Sequence, residues 1–524
     1  MTSAGMADLA GRPLWHLVER RAALTPDALF ALDERDRALT FAELRQHAEA
    51  AAAGLQHRGV TTGTVVSWQL PTWFDSIVLT LALARLGAVQ NPILPIYRER
   101  EVGFAVAQTR ARVLIVPDRW RGTDYAAIAR RSIEAGGDLP TEIIEIGHDG
   151  FGGLPTGDPD ALPPAPAGTG DPVRWIYYTS GTTADPKGAL HTDATIAAGS
   201  LTMTERLRVV AADRIGLVFP YAHIGGSNFL FASLWSGCSL LCVEAFDPAT
   251  SIPALHRQGV TLAGAGTVFH LAYLAARRAD PTGTLLSQVR AFPGGAAPKP
   301  VTLHAEMKAA FDGAGIVSGY GLTEAPAVAM GSLDDPDGKL ATTEGRASIG
   351  VDLRVVDPVG VPCPPGVEGE LRVKGPMVCK GYLDSALTAA AFDDDGYFCT
   401  GDLGTVDEAG YVAVTGRLKD VIIRKGENIS AKEVEDLIFA LPEVLDVAVI
   451  GLPDDARGER CCAVVVLHDG AELDLAGLAG RLRSAGLMPQ KLPEQLEVVA
   501  ALPRNAAGKV QKRDLRDHYR ASCS

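Results

Sequence analysis

The chain reads as an α/β protein: a large N-terminal domain of helix-covered β-sheets with a small β-barrel-like region, then a small C-terminal α/β domain. Three observations predict this. At 524 residues the chain is too long for one hydrophobic core. From Thr40 to Val317, short apolar runs bounded by turn residues alternate with helical stretches, the pattern of helices packed on a mostly parallel sheet. Between Val351 and Leu383 the pattern changes to strand–turn–strand, and beyond Glu435 the β/α alternation returns as a separate short unit.

Taken in order, Thr40-Phe-Ala-Glu43 is a capping-box pattern, followed by Leu44, Ala48, Ala51 and Leu55 at helical spacing. Gly59 is placed to end that helix. A strand is expected at Val65–Leu70, an apolar helix at Trp73–Leu86, and buried strands at Val113–Val116 and Ile143–Ile146. Residues 147–172, rich in Gly, Pro and Asp, form a surface connection. Trp175–Tyr178 is the end of a strand. Further strands are expected at Ile215–Phe219, Ser239–Val243, Thr261–Ala265, Val289–Phe292 and Gly315–Val317. FPGGAAP (292–298) and YGLTEAP (320–326) are read as loops at strand ends, where such sheets bind ligands. VDLRVVD and GELRVKG form the antiparallel region, and Val447–Ile450, Ala463–Leu467 and Leu496–Val499 are the strands of the tail.

Composition excludes several functions. With 47% hydrophobic and 21% charged residues the chain is an ordinary globular protein, and its net charge of −14 argues against a nucleic-acid or anionic-membrane binder. The start has no signal-like apolar core, and Ile77–Leu86 is too short to span a bilayer. The eight cysteines are scattered without zinc spacing, as expected for reduced thiols in the cytoplasm.

The chemistry gathers first at Tyr177–Leu190, YYTSGTTADPKGAL. Glycine lets backbone N–H groups turn inward, hydroxyls add hydrogen bonds and lysine adds a charge, a combination suited to a polyphosphate. Pro186 before Lys187 rules out a Walker A loop. YGLTEAP adds a flat ring, a hydroxyl and a carboxylate; TGDLG adds Asp402; GRLKDVIIRKGENIS and PRNAAGK add basic residues. Each alone has a bland alternative: a flexible loop, a helix-start carboxylate, a turn aspartate, a solvated lysine.

In this order the stretches resemble the adenylate-forming superfamily, in its acyl-CoA synthetase (carboxylic acid:CoA ligase) branch, over essentially the whole chain. The resemblance implies ATP, Mg²⁺ and coenzyme A. It implies that Thr179, Ser180, Gly181, Thr182, Thr183 and Lys187 hold the phosphates. Gly295, Ala296, Ala297, Tyr320 and Gly321 would border the adenine. Thr323 would contact the α-phosphate, Glu324 hold Mg²⁺, and Asp402 and Arg417 bind the ribose. Lys419 would be the hinge of a mobile small domain, Lys425 and Gly426 line the pantetheine path, and Lys509 act in catalysis. The implied domains are 1–416 for ATP and acid, a hinge at 417–421, and 422–524.

His223, Gly264 and Gly294 are expected at the acyl pocket by the same resemblance, with His223 equally readable as a packed histidine. Phe229, Phe231 and Phe269 are read as core. No acid occurs between Asp213 and Glu244, so an α-amino acid would bring an unpaired ammonium into the pocket. An uncharged carboxylic acid is therefore the expected substrate. With no carrier-protein domain after Lys509, free CoA is the expected thiol and a separate carrier protein the runner-up. A nucleotide-binding regulator that lost the chemistry is the alternative from another class. The expected partners are a small carboxylic acid and CoA, without nucleic acid or integral membrane contact, and a homodimer is the assembly to test.

Overall fold

The computed structural model describes residues 11–135, 140–147, 149–179, 186–295, 299–424, 427–454, 458–504 and 509–521. Of the residues singled out above, Ser180, Gly181, Thr182, Thr183, Ala296, Ala297, Lys425 and Gly426 lie outside these.

Two mainly parallel sheets carry the large domain. One has six strands in the order Lys187–Thr192, Val173–Thr179, Val89–Pro92, Val65–Trp68, Val113–Pro117 and Glu142–Ile146. The other has five, in the order Leu262–Ala263, Arg214–Leu217, Ser239–Cys242, Leu29–Asp33 and Ala38–Thr40. The last two strands form an antiparallel pair, and neither was expected from the sequence, because their apolar runs are short and interrupted by Asp33–Asp36. Thr40 forms the expected capping box: its Oγ1 accepts from the Glu43 N–H at 3.2 Å, and a Glu43 carboxylate oxygen accepts from the Thr40 N–H at 2.8 Å. The apolar helix runs Phe74–Leu86 and is buried on nearly every face, sharing one core with Trp68, Trp175, Phe30 and Trp235.

A third sheet of four strands joins Phe292–Gly294, Ile316–Leu322, Ala325–Met330 and Arg346–Ala347. It corrects two expectations. The strand expected at Val289–Phe292 begins only at Phe292, so FPGGAAP opens as a strand rather than a loop. YGLTEAP is a tight antiparallel hairpin whose tip is Thr323-Glu324, and not an open loop. Small residues make this possible: a Cβ at Gly321 would stand 2.4 Å from the Pro326 carbonyl oxygen. The antiparallel region that closes the large domain is a fourth sheet, Asp352–Val356, Gly369–Lys374, Phe398–Val406 and Val412–Arg417, in sequence order.

The tail is a small α/β domain with its own sheet, Glu427–Ser430, Val421–Arg424, Gly458–Leu467 and Val444–Asp454, plus Gln495–Val498 paired to Gly458–Leu467. Its two faces bury separate apolar sets. Ile422, Val434, Val449, Val465 and Leu478 pack on one side, and Ala448, Ile450, Val464, Leu515 and Tyr519 on the other. Among the described residues no helix is long and apolar enough to cross a membrane.

Candidate active site

The strands Val173–Thr179 and Lys187–Thr192 pair antiparallel on either side of residues 180–185, which lie outside the described residues. Register sets Lys187 directly across from Thr179 on the opposite strand. The hairpin is anchored from behind: the Tyr177 hydroxyl lies 2.5 Å from Ser227 Oγ, and its ring stacks on Trp175 at 5.8 Å.

A second pair of strands presents the ribose candidates. Asp402 and Arg417 are direct cross-strand partners, and Arg417 Nε lies 2.7 Å from Asp402 Oδ1. The other oxygen, Oδ2, accepts from the Tyr320 hydroxyl at 2.7 Å, which joins the third sheet to the fourth. Asp402 is only 2% exposed, so its charge depends on these two donors and on the backbone geometry fixed by Thr400. Burial, with Asp402 second, pushes the Tyr320 hydroxyl well above its ordinary pKa, so it stays a donor.

Lys509 comes to this pair from the far end of the chain. It lines the same cleft as Arg417, Asp402, Lys419 and Asp420, and its pKa is pushed down to about 8. Burial is the largest cause, Arg417 and Lys419 add like-charge repulsion, and the two aspartates oppose the shift. Burial also lowers Lys419. Asp420 is held below the usual carboxylate range by Lys512, Arg516 and Lys419 despite its own burial, with Arg516 Nη2 2.8 Å from its Oδ1. Lys509, Arg417 and Lys419 thus share one environment with the carboxylates of Asp402 and Asp420. A cleft of about 1600 Å³ opens there between the domains, and Tyr320, Gly321, Asp402, Arg417, Lys419 and Lys509 all line it.

Glu324 sits at the tip of its hairpin, 8% exposed, with Oε1 accepting from the Tyr382 hydroxyl at 2.7 Å. Among the described residues no cluster of three or more His, Cys, Asp or Glu could hold a metal by itself. A lone carboxylate fits Mg²⁺ only alongside phosphate oxygens and water, the usual pattern for that ion on a nucleotide. Neighbouring Thr323 is held through its backbone: His191 Nε2 donates to its carbonyl oxygen at 2.8 Å. His191 is fully buried and its pKa falls to about 4, so the imidazole is neutral.

The residues expected at the acyl pocket are not in the lining of the large cleft. They lie within the large domain. His223 caps the helix Ile224–Ser236, its Nδ1 accepting from the Gly225 N–H at 3.1 Å, and burial lowers its pKa to about 4. Its cap role matches the packed-histidine alternative, and a neutral ring at that place is compatible with an uncharged acid. The Gly264 carbonyl accepts from the Tyr273 hydroxyl at 2.6 Å, and Gly264 faces Phe229. The space over Gly294 is filled by His270, whose ring would be 2.6 Å from a Cβ there. Gly295 lies against the Gly319 carbonyl, where a Cβ would approach to 2.6 Å.

Two contacts were not visible in the sequence. His191 and Tyr382 are single residues, and no spacing marks them. Their partners, Thr323 and Glu324, are distant in the chain and meet them only through strand pairing.

This geometry has counterparts. A family profile described as "AMP-binding enzyme" matches residues 18–383, and one described as "AMP-binding enzyme C-terminal domain" matches residues 433–509. The chain belongs to the AMP-binding enzyme family. It falls among the acyl-CoA synthetases of the adenylate-forming superfamily. It is 32% identical over 510 residues to a medium-chain fatty-acid–CoA ligase of Escherichia coli (strain K12), covering 94% of this chain and 88% of that one. It is 34% identical over 529 residues to a salicyl-AMP ligase / salicyl-S-ArCP synthetase of Mycobacterium tuberculosis (strain ATCC 25618 / H37Rv), covering 96% and 90%. The structure of this AMP-binding enzyme superposes on ATP-bound MatB from Rhodopseudomonas palustris with TM-score 0.86 and 31% identity, covering 97% of this chain and 100% of that one. Against apo MatB the TM-score is 0.74.

Proposed function

We propose that the protein activates an uncharged carboxylic acid with ATP to an acyl-adenylate and transfers the acyl group to the thiol of coenzyme A, releasing AMP and pyrophosphate. The observation that carries this reading is that Lys509, from the small domain, lines one cleft with Tyr320, Asp402 and Arg417 of the large one, where Asp402 is bonded to both Tyr320 and Arg417. A basic group from the small domain in the same cleft as the ribose candidates suits a bound triphosphate.

In the first half-reaction a carboxylate oxygen of the acid attacks the α-phosphorus, and the bond to the β-phosphate oxygen breaks. Positioning and charge stabilisation carry such a step, since the protein forms no covalent bond. Asp402 and Arg417 hold the ribose, Tyr320 packs on the adenine, and Thr179 and Lys187 hold the departing phosphates. Lys509 donates to the α-phosphoryl oxygens as charge grows on them. Mg²⁺, when bound, neutralises phosphate charge, and Glu324 would be its protein ligand. In the second half-reaction the CoA sulfur attacks the acyl carbon, and the bond to AMP breaks.

The small domain turns about Lys419 between the two steps, with domain limits at 1–416, 417–421 and 422–524 as part of the proposal. The higher similarity to ATP-bound than to apo MatB supports an orientation suited to the first step. The name of the salicyl-S-ArCP synthetase favours one second reading, a carrier-protein thiol as acceptor. Cytoplasmic location and a homodimer belong to the proposal as expectations to test. The deciding experiment is pyrophosphate release with a panel of aliphatic, alicyclic and aromatic acids, with and without CoA. Release with at least one acid, and thioester only when CoA is present, is the expected result. ATP binding without turnover on any acid would favour a nucleotide-binding regulator.

A further inference from the structure

Behind the two hairpins runs a strap, residues 379–383, that belongs to neither. It is stitched to the phosphate hairpin by the Leu190 N–H to the Gly381 carbonyl (2.8 Å), the Lys380 N–H to the Leu190 carbonyl (2.8 Å) and the Leu383 N–H to the Gly188 carbonyl (2.9 Å). It is stitched to the acidic hairpin by the Cys379 N–H to the Glu324 carbonyl at 2.8 Å. Thr388 Oγ1 accepts from the Tyr382 N–H at 2.8 Å and donates to the Tyr382 carbonyl at 3.2 Å, so the backbone of Tyr382 is held on both sides. From this position Tyr382, 6% exposed, reaches both the candidate metal ligand and a candidate phosphate ligand. Its hydroxyl donates to Glu324 Oε1 at 2.7 Å, and the Lys187 ammonium lies 5.5 Å from its ring centroid.

We propose that Tyr382 is a positioning residue for adenylation, fixing the Glu324 carboxylate through its hydroxyl and the Lys187 ammonium through its ring. The inference rests on the adenylation reading given above. The chemistry of each end is distinct. At one end a phenolic hydroxyl donates to a carboxylate oxygen, which can only accept. With Oε1 engaged, Glu324 would keep its other oxygen for Mg²⁺, which suits an ion that takes water and phosphate as further ligands. The ring face attracts the lysine and limits where its flexible stem can place the charge. One side chain thereby sets the spacing of a cation and a metal-binding anion on the same polyphosphate, before the nucleotide arrives. Preorganisation of this kind is lost by small displacements.

The test uses the full chain with Tyr382→Phe and Tyr382→Leu, after thermal melts establish that both fold. In Tyr382→Phe the Mg²⁺ concentration for half-maximal pyrophosphate release should rise about three- to tenfold, the effect of one lost hydrogen bond. Saturating Mg²⁺ should restore the rate with KM for ATP within about twofold of the wild type. Mn²⁺ binding, followed by electron paramagnetic resonance in the presence of a non-hydrolysable ATP analogue, should weaken by the same factor. Tyr382→Leu should add a raised KM for ATP that Mg²⁺ does not rescue, because the ring under Lys187 is gone. Thioester formation from supplied acyl-adenylate should be unchanged in both. In a Glu324→Gln background Tyr382→Phe should add little, since the pair acts as a unit. Thr388→Val, isosteric and remote from the phosphates, should shift the Mg²⁺ dependence in the same direction, so the test does not hang on one variant. An unchanged Mg²⁺ and Mn²⁺ dependence in Tyr382→Phe, or equal damage to both half-reactions, overturns the proposal while leaving adenylation intact. A wild type without Mg²⁺-dependent pyrophosphate release overturns both.

Discussion

Raising the pH from neutrality tests Lys509 directly. Its pKa of about 8 in the nucleotide-free protein means that the ammonium the reaction needs is partly lost within an accessible range. The group is depressed, so the charged form is present below the folded pKa and disappears as pH rises through it. About nine-tenths of the molecules carry the charge at about pH 7 and about one-tenth at about pH 9, a roughly tenfold fall. The quantity to measure is kcat/KM for ATP in the acyl-adenylate half-reaction, because it reports the free enzyme rather than the complex. Bound triphosphate raises the lysine's pKa, so kcat should fall later than kcat/KM. Lys509→Arg separates charge from identity: guanidinium stays protonated, and whatever activity the variant keeps should be flat across this range. Lys509→Ala should lose roughly 10²–10³-fold in adenylation, as for one preorganised donor, and should also be flat. Thioester formation from supplied acyl-adenylate should not share the fall, since the thiol is more nucleophilic as its anion. A wild-type profile level from about pH 7 to 9, or a fall of equal size in Lys509→Arg, would refute the assignment of the charge to Lys509.

Three further outcomes follow from the same geometry. Glu324→Gln keeps shape and removes charge, so adenylation should slow and recover in part at high Mg²⁺; unchanged activity at low Mg²⁺ would make Glu324 structural. Asp402→Ala leaves the Tyr320 hydroxyl and Arg417 without their shared acceptor, and KM for ATP should rise more than about tenfold, equivalent to about 1.4 kcal/mol, as read by initial rates. Gly321→Ala forces a Cβ to within 2.4 Å of the Pro326 carbonyl oxygen, so the hairpin carrying Thr323 and Glu324 must distort; adenylation should drop while the melting temperature of the small domain, followed separately by proteolysis, stays put.

The sequence by itself determined the fold class, the approximate places of the buried strands and the types of residue at the site. These are local properties. Apolar runs of strand length, a Thr–Glu capping pair and a Ser/Thr/Gly tract before a lysine are each written in a few consecutive residues. What the sequence could not express was pairing. YGLTEAP contains no turn dipeptide that announces a hairpin, and only register with Ala325–Met330 puts Thr323 and Glu324 at its tip. Asp402 and Arg417 were visible as separate motifs, but that they face each other across two strands is a fact of register. His191 and Tyr382 were invisible, because a buried histidine and a tyrosine acquire a role only from the distant atoms they touch. The same holds for Lys509. Its identity lies in the chain, whereas its lowered pKa comes from burial against Arg417 and Lys419, which only the docking of the small domain on the large one brings about.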